Sequence, residues 1–494
     1  MIARWAILGK VVLATFPLAA QGQQPFALDP TFRAQFNDWY VSSIAPMPNG
    51  DVLVSGRMQF LGDQFERYLT KVNAEGVRYT DFPYTFGGGK LTSWQGKYYV
   101  QGSQTVRRLG EDGTLDPTFP HMNSSPYFLS LQGGDYHVYS DGSLLISGAH
   151  TVNHPDSGWS GLHNLIWFTN TGRLDTTRAP RKGNGVIYRI KELPDGKFMC
   201  TGPMTVFEGQ PTSYIFRVHA DGMLDTTFYT GTVWGQAACY LPLEDGRCYV
   251  GGLFRVNGIT DTLNLVRMMP DGSLDPTFHN TIRFGIGPPI TSNPRPGTIE
   301  SVQFLDEGRL IVTGAFRDMD GEPRHSIALI DTTGQLLVDH FVGAGCGTYT
   351  YQGFTDATIM GLRFVGDSMC YIWGSYHGYS DGTTNDPLQR FVTRLYGPDF
   401  STGVEPTTTA GQDAMRVYPN PANSQVVVEI PTLHPRNAEL VLKDAMGRAV
   451  LRRHISGQQG QGVLAVDGLA RGLYVLEVSC PTGTIGTARL VVAE

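Results

Sequence analysis

The residues in this chain that could do chemistry fall into two groups, those that repeat and those that do not. Asp29, Asp116 and Asp275 occupy the second position of identical pentads, Leu-Asp-Pro-Thr-Phe, at 28–32, 115–119 and 274–278. Asp225 sits in Leu-Asp-Thr-Thr-Phe and Asp175 in Leu-Asp-Thr-Thr-Arg. Evenly spaced carboxylates can bind cations or move protons. Repetition argues for a different role: an Asp recurring in every unit is explained by a local hydrogen bond that fixes the turn into the next strand.

The non-repeating groups are the better candidates for function. His150, His154, Asp156, Trp159 and His163 cluster in one long loop, at spacings that match no zinc pattern. Asp318, Asp320 and Glu322 coincide with an ordinary repeat turn, whereas Asp381 and Asp386 bracket an insert where oxygen ligands could hold calcium. Tyr349, Tyr351 and Phe354 lie in a second insert, with Tyr376 and Tyr379 in the loop that follows the next apolar run. With Trp159 they are the ligand-binding candidates, because exposed aromatic faces hold sugar rings and enrich recognition surfaces. There is no Gly-x-Ser-x-Gly and no His-Glu-x-x-His. Gly87-Gly88-Gly89-Lys90 lacks the Ser/Thr and helix of a phosphate loop. No catalytic residue, resident metal or cofactor is therefore assigned.

These groups must be positioned by a repeating scaffold. An Asp-Gly or similar turn leads through a short apolar run to a closing glycine at 56, 102, 148, 202, 252, 314 and 374, seven copies in all. A self-similar period of roughly fifty residues is the mark of a repeat architecture. Asp-Gly supplies the positive φ of a tight hairpin. A run that is apolar throughout, not alternating, is buried on both faces. In a radial stack of sheets the innermost strand of each would be covered in that way, and its glycine would admit a close backbone approach. About four strands per unit then make a seven-bladed β-propeller. The first pentad stands alone before its unit, so the N-terminal segment is expected to complete the last blade and close the ring.

Composition agrees. Charged residues are only 17% of the 494, hydrophobic ones 41%, and there are 60 glycines, as in turn-rich β structure. The net charge of −7 argues against nucleic acid as a partner. Arg4 and Lys10 precede an apolar run at 11–20, with small residues at 20 and 22; this reads as a signal peptide at 1–22. No other stretch is long enough to span a membrane. Six cysteines are scattered without a C-x-x-C. Cys239 and Cys248 flank a turn; they are either two buried thiols or a bridge across a hairpin. Residues 401–413, STGVEPTTTAGQD, read as a linker. Residues 414–494 then carry six or seven short strands, fitting a small immunoglobulin-like β-sandwich.

The pentad, its preceding Asp-Gly turn and the apolar run ending in Gly together resemble the delta-60 β-propeller repeat of secreted bacterial proteins, over about residues 25–400. The tail resembles the C-terminal sorting domain of the type IX secretion system of Bacteroidetes. That resemblance rests on Tyr418-Pro419-Asn420-Pro421, the 444–448 hairpin Asp-Ala-Met-Gly-Arg, Gly472-Leu473-Tyr474 and a final Arg489-Leu490-Val491-Val492. It implies type IX machinery as a partner, passage through the periplasm, and removal of the tail near the linker. Anchoring at the outer-membrane surface or release to the medium would follow. The residues leave three functions open: a non-catalytic binder of a polysaccharide or surface protein, a glycan-degrading hydrolase, or a scaffold without a small ligand.

Overall fold

The structure is a computed structural model. It describes residues 26–397 and 416–492, apart from 84–85, 103–104, 121, 123–126, 284, 286–295, 352–353, 367–368, 419–421, 423, 430–437, 444–447, 456–460 and 481–482. The expected signal peptide and linker lie outside the described residues. The chain divides into two compact units, residues 1–402 and 403–494.

Among its described residues the first unit holds three two-stranded hairpins and seven antiparallel sheets of three or four strands, here blades 1 to 7. Their middle strands are Val52–Phe60, Lys97–Gln101, Leu144–Val152, Phe198–Thr201, Cys248–Val256, Arg309–Ala315 and Met369–Ser380. These are the apolar runs of the repeat. The sequence reading placed them innermost, and the structure corrects this. Each is flanked by a preceding and a following strand of its own sheet, and its two faces look at two neighbouring blades. In blade 5, Cys248 and Val250 pack toward blade 4 and Tyr249 toward blade 6. In blade 7, Cys370 and Ile372 pack toward blade 6 and Tyr371 toward blade 1. Successive side chains of a strand point to opposite faces, so a strand sandwiched between two sheets must be apolar at every position.

The hydrophobic clusters close the circle. Seven of them each join one blade to the next, from blades 1 and 2 around to blades 7 and 1. Burying one Leu, Val or Phe fully contributes about 1.5–3 kcal/mol, and every seam holds several. The last seam is fastened by the chain's start. Leu28 bridges Leu395, and the N–H groups of Phe26 and Asp29 donate to the carbonyls of Tyr396 and Arg394. The N-terminal segment is thus the outermost element of blade 7, as the lone first pentad predicts. The other pentads do the same within their own blades, Leu115 beside Leu109, Leu174 beside Phe168, Leu224 beside Val218 and Leu274 beside Met268.

The strand that opens each blade is the inner one. In blades 1, 5, 6 and 7 it is interrupted by a register shift, with Ser42, Ala238, Glu300 or Met360 as the extra residue. The closing glycine lies opposite this bulge. A Cβ on Gly314 would meet the Thr298 carbonyl at 2.1 Å, and one on Gly374 the Thr358 carbonyl at 2.0 Å, so no other residue fits.

The second unit has two sheets, Arg416–Tyr418, Gln425–Glu429 and Gln461–Ala465 in one, and Ala449–Ile455, Ala438–Lys443, Gly472–Cys480 and Gly483–Val492 in the other. Val426, Val428 and Leu464 of the first share a core with Leu440, Leu442, Leu476 and Leu490 of the second. This is a two-layer sandwich.

Candidate functional site

The pentad aspartates come first, because the structure gives them a fuller role than a local turn bond. One oxygen of Asp275 accepts from the Thr277 amide and hydroxyl at 2.9 and 2.7 Å. The other accepts from Arg267 Nε at 2.7 Å. The same guanidinium donates to Thr277 Oγ1 at 2.8 Å and, across the seam, to the Thr332 carbonyl of blade 6 at 2.7 Å. Arg108 with Asp116, Arg217 with Asp225, and Arg394 with Asp29 repeat the arrangement, reaching Asn170, Pro270 and Ala74 of the following blade. Burial alone would raise these carboxyls. The Thr and Arg hydrogen bonds outweigh it, and all four are held below the ordinary range.

Blade 3 shows the same device with its parts exchanged. Trp167 stands where the arginine would be, and Arg178 replaces the pentad Phe. The Arg178 guanidinium lies 4.9 Å over the Trp167 ring and still donates to the Ala220 carbonyl of blade 4, at 3.2 Å. The arginines escaped the sequence reading, yet Arg108, Arg217 and Arg267 each lie eight residues before their aspartate, and Arg394 pairs with Asp29 across the ring closure. These repeated charges are structural.

The non-repeating chemistry is at the hub. A cavity of about 640 Å³ is lined from all seven blades, including Tyr40, Ser42, Lys90, Asp135, Arg189, Lys191, Ala238, Glu300 and Met360. Inner strands supply nearly all of these. The bulges turn Ser42, Ala238, Glu300 and Met360 toward the hub, a known use of β-bulges. A sequence signal for the site exists: twelve to fourteen residues before the closing glycine stand Ser42, Lys90, Asp135, Arg189, Ala238, Glu300 and Met360. The position repeats while its occupant changes, and blades 2, 3, 4 and 6 place charges there.

Lys90 and Asp135 are spent on each other. Lys90 Nζ donates to Asp135 Oδ1 at 2.9 Å and to the Tyr136 carbonyl at 2.7 Å. Asp135 also accepts from the amides of Tyr136 at 2.7 Å and Ile190 at 3.3 Å. Burial pushes the Asp135 carboxyl up, but the charges of Lys90 and Arg189 hold it below its ordinary value. Arg189 and Lys191 flank the buried Ile190 on the inner strand Arg189–Glu192, so alternation puts both on one face, and both are exposed. Among the described residues no hydrogen bond or ion pair engages either side chain. Gly87, Gly88 and Gly89 also line the cavity; Gly88 has φ +103° and its carbonyl accepts from Ser42 Oγ at 2.8 Å. The run is a wall of the cavity.

The aromatic candidates lie elsewhere, and the exposure expected of them fails at three positions. Tyr376 and Tyr379 are 0% and 1% exposed and Tyr349 6%. The Tyr376 hydroxyl donates to Thr393 Oγ1 at 2.9 Å, that of Tyr379 to the Phe26 carbonyl at 3.4 Å, and that of Tyr349 to Asp38 at 3.2 Å. The strand Met369–Ser380 is long, and these rings pack the seams of blade 7. Tyr351 and Phe354 pair in a hairpin, Tyr349–Tyr351 with Phe354–Asp356; their side chains lie outside the described residues. Trp159 is half-buried, with its ring 6.1 Å from His154. His150 is buried between Ser130 Oγ and the Ser147 carbonyl, and burial pushes it down to about 4.

The calcium candidates separate as well. Asp381 accepts from the amides of Leu28 at 2.9 Å and Thr383 at 2.8 Å, and so holds the N-terminal clasp. Asp386 pairs with Arg33 and the Leu388 amide. No three His, Cys, Asp or Glu side chains converge as a metal site among the described residues. Cys239 and Cys248 are free thiols. They face Gly251 and Pro242, not each other, and burial pushes Cys248 up to about 12. In the tail, Tyr418 ends a strand and Gly472 begins one. Tyr474 is buried, its hydroxyl donating to the Ala470 carbonyl at 2.6 Å. Pro419, Asn420 and Pro421 lie outside the described residues.

Comparison with known proteins bears on both units. Residues 416–493 match the secretion system C-terminal sorting domain. Residues 193–228 and 243–278, in blades 4 and 5, match a β-propeller domain of unknown function, DUF5122. This is an all-β protein, a β-propeller followed by a secretion sorting domain. It is exported through the type IX system, to the cell surface or the medium. No curated protein matches the chain.

Among solved structures, PorZ, a surface component of the type IX secretion system of Porphyromonas gingivalis, is 13% identical with a TM-score of 0.36; the match covers 92% of this chain and 66% of PorZ. An extracellular domain assigned to a hybrid two-component system of B. thetaiotaomicron is 12% identical with a TM-score of 0.37, covering 92% and 57%. Regucalcin, a calcium-binding protein of Agrobacterium tumefaciens, is 14% identical with a TM-score of 0.30, covering 64% and 98%. This chain thus spans about two thirds or less of the first two. Among the described residues, no helix is long and apolar enough to cross a membrane.

Proposed function

We propose that the exported propeller is a non-catalytic binding protein for a polysaccharide or protein ligand, with the hub cavity as its site. Residues 1–22 act as a leader, and the sorting domain is removed within or near 401–413. The observation that supports this reading is the division of labour among charges. The repeated Asp–Arg sets are consumed in joining blades, whereas the hub concentrates non-repeating side chains in a recess of ligand size, about 300–1,000 Å³ being usual for such sites. Function lives in a site grafted on a fold, and this is where repetition gives way to individuality.

Binding is favoured over hydrolysis by the state of Asp135, whose oxygens are taken up by Lys90 and backbone amides. A general acid needs a carboxyl whose value is raised toward neutrality, and Asp135 is shifted the other way. The test is an array of glycans and surface proteins probed with the purified chain, beside a broad hydrolase screen. Saturable binding without turnover is expected. Turnover that is abolished by Glu300→Gln would replace this reading with the hydrolase one.

A further inference from the structure

The hub cavity is more basic than the protein around it. The chain carries a net charge of −7, yet the lining holds three cations, Lys90, Arg189 and Lys191, against two carboxylates, Asp135 and Glu300. Lys90 and Asp135 cancel each other at 2.9 Å. Arg189 and Lys191 remain beside Glu300, a surplus of one positive charge. Both cations are exposed on one face of one strand, and among the described residues neither makes a side-chain hydrogen bond or ion pair, although the Arg189 charge also acts on Asp135. An arginine fork presents paired donors matched to a carboxylate, and a lysine two residues on adds a mobile point charge. The low-dielectric walls of a recess strengthen both.

The rest of the lining narrows the ligand class. Tyr40 and Tyr68 offer ring faces and glycines 87–89, 102 and 134 expose backbone, while Ser42 Oγ and Gln101 Nε2 donate to the Gly88 and Gly134 carbonyls. A protein interface is a broad face of roughly 800 Å² per partner, whereas this site is a concave recess of about 640 Å³, the size class of small-ligand sites. We infer that, within the binding function proposed above, the hub is a receptor for an acidic oligosaccharide, with Arg189 and Lys191 gripping a sugar carboxylate and the tyrosines flanking the rings.

The experiment is calorimetric titration of the full chain with trigalacturonic acid, with its methyl ester, and with a hexaglutamate peptide. The acid should bind, with the ester and the peptide at least about tenfold weaker. The double variant Arg189→Gln/Lys191→Gln should lose about tenfold to a hundredfold in affinity for the acid, at unchanged melting temperature, because each lost charge-assisted hydrogen bond is worth about tenfold or more. Raising the salt concentration should weaken the wild type and leave the double variant nearly unaffected. Equal binding of acid and ester, abolished by the cavity-filling Ala238→Trp, would overturn the carboxylate grip while leaving the hub as a binding site. Peptide binding as tight as that of the acid would overturn the sugar assignment. Failure of the acid to bind at all would overturn the inference outright.

Discussion

Arg267 and Asp275 show what the repeated residues do. Each is buried, and between them they bond to Thr277 and to the next blade. Removing one partner leaves the other buried and uncompensated, which costs about 3–5 kcal/mol. Asp275→Ala should therefore lower stability by about that much, measured by denaturant unfolding. Exposed Asp245→Ala should change it by under about 1 kcal/mol. The four pentad carboxyls are held below their unfolded value of about 3.9. Their contribution is complete above about pH 4 and is lost as pH falls through the lower folded values, since the unfolded chain there binds more protons. Unfolding free energy should drop steeply with acid below about pH 4, and Asp275→Asn should make that slope shallower. An acid profile equal in slope to wild type would refute the linkage.

At the scale of the element, blades 1, 5, 6 and 7 each depend on a glycine facing a bulge. Gly314→Ala drives a Cβ into the Thr298 carbonyl, and overpacking of this kind costs about 1–3 kcal/mol, measurable as a lower melting temperature. The N-terminal clasp makes a sharper case. Phe26 is fully buried among Phe341, Ile359 and Leu395, so Phe26→Ala should cost about 3–5 kcal/mol although it lies outside every regular strand. The repeat, its turns, its glycines and this clasp were legible in the sequence, because pentad, Asp-Gly and closing Gly each answer one local backbone demand. The order of strands within a blade was not. An apolar run shows that both faces are covered without showing whether the cover comes from the hub side or from a third strand. Tyr349, Tyr376 and Tyr379 misled for a related reason: residues in an insert look exposed until the strand that carries them extends beneath a neighbouring segment. Arg189 and Lys191 were missed because they sit on a strand that looks like ordinary amphipathic β, and only alignment of the repeats on their glycines exposes the changing position.

On the scale of the whole molecule, two units serve two ends. Residues 416–493, the sorting domain, direct export, and the propeller holds the proposed site. The proposed removal of the tail predicts that mass spectrometry of surface and medium fractions finds peptides up to about residue 400 and none beyond about 415. Tails recovered intact outside the cell would refute cleavage. Seven seams of similar build and a clasp joining first to last make the ring a closed unit, with no end blade left to fray. Such a ring holds seven inner strands around one cavity, with Ser42, Ala238, Glu300 and Met360 contributed at bulges of four blades and Lys90, Asp135 and Arg189 by the other three.

The central claim is that binding resides in this hub. Ala238 lines the cavity at a bulge in blade 5, where a large side chain fills space without touching the Arg–Asp sets. The decisive measurement is the binding of Ala238→Trp to whatever the array identifies, alongside its melting temperature. The account predicts a folded propeller that has lost its ligand by a factor of about a hundred or more, a hundredfold being about 2.7 kcal/mol. A folded variant that binds as wild type does would place the site elsewhere and contradict the account.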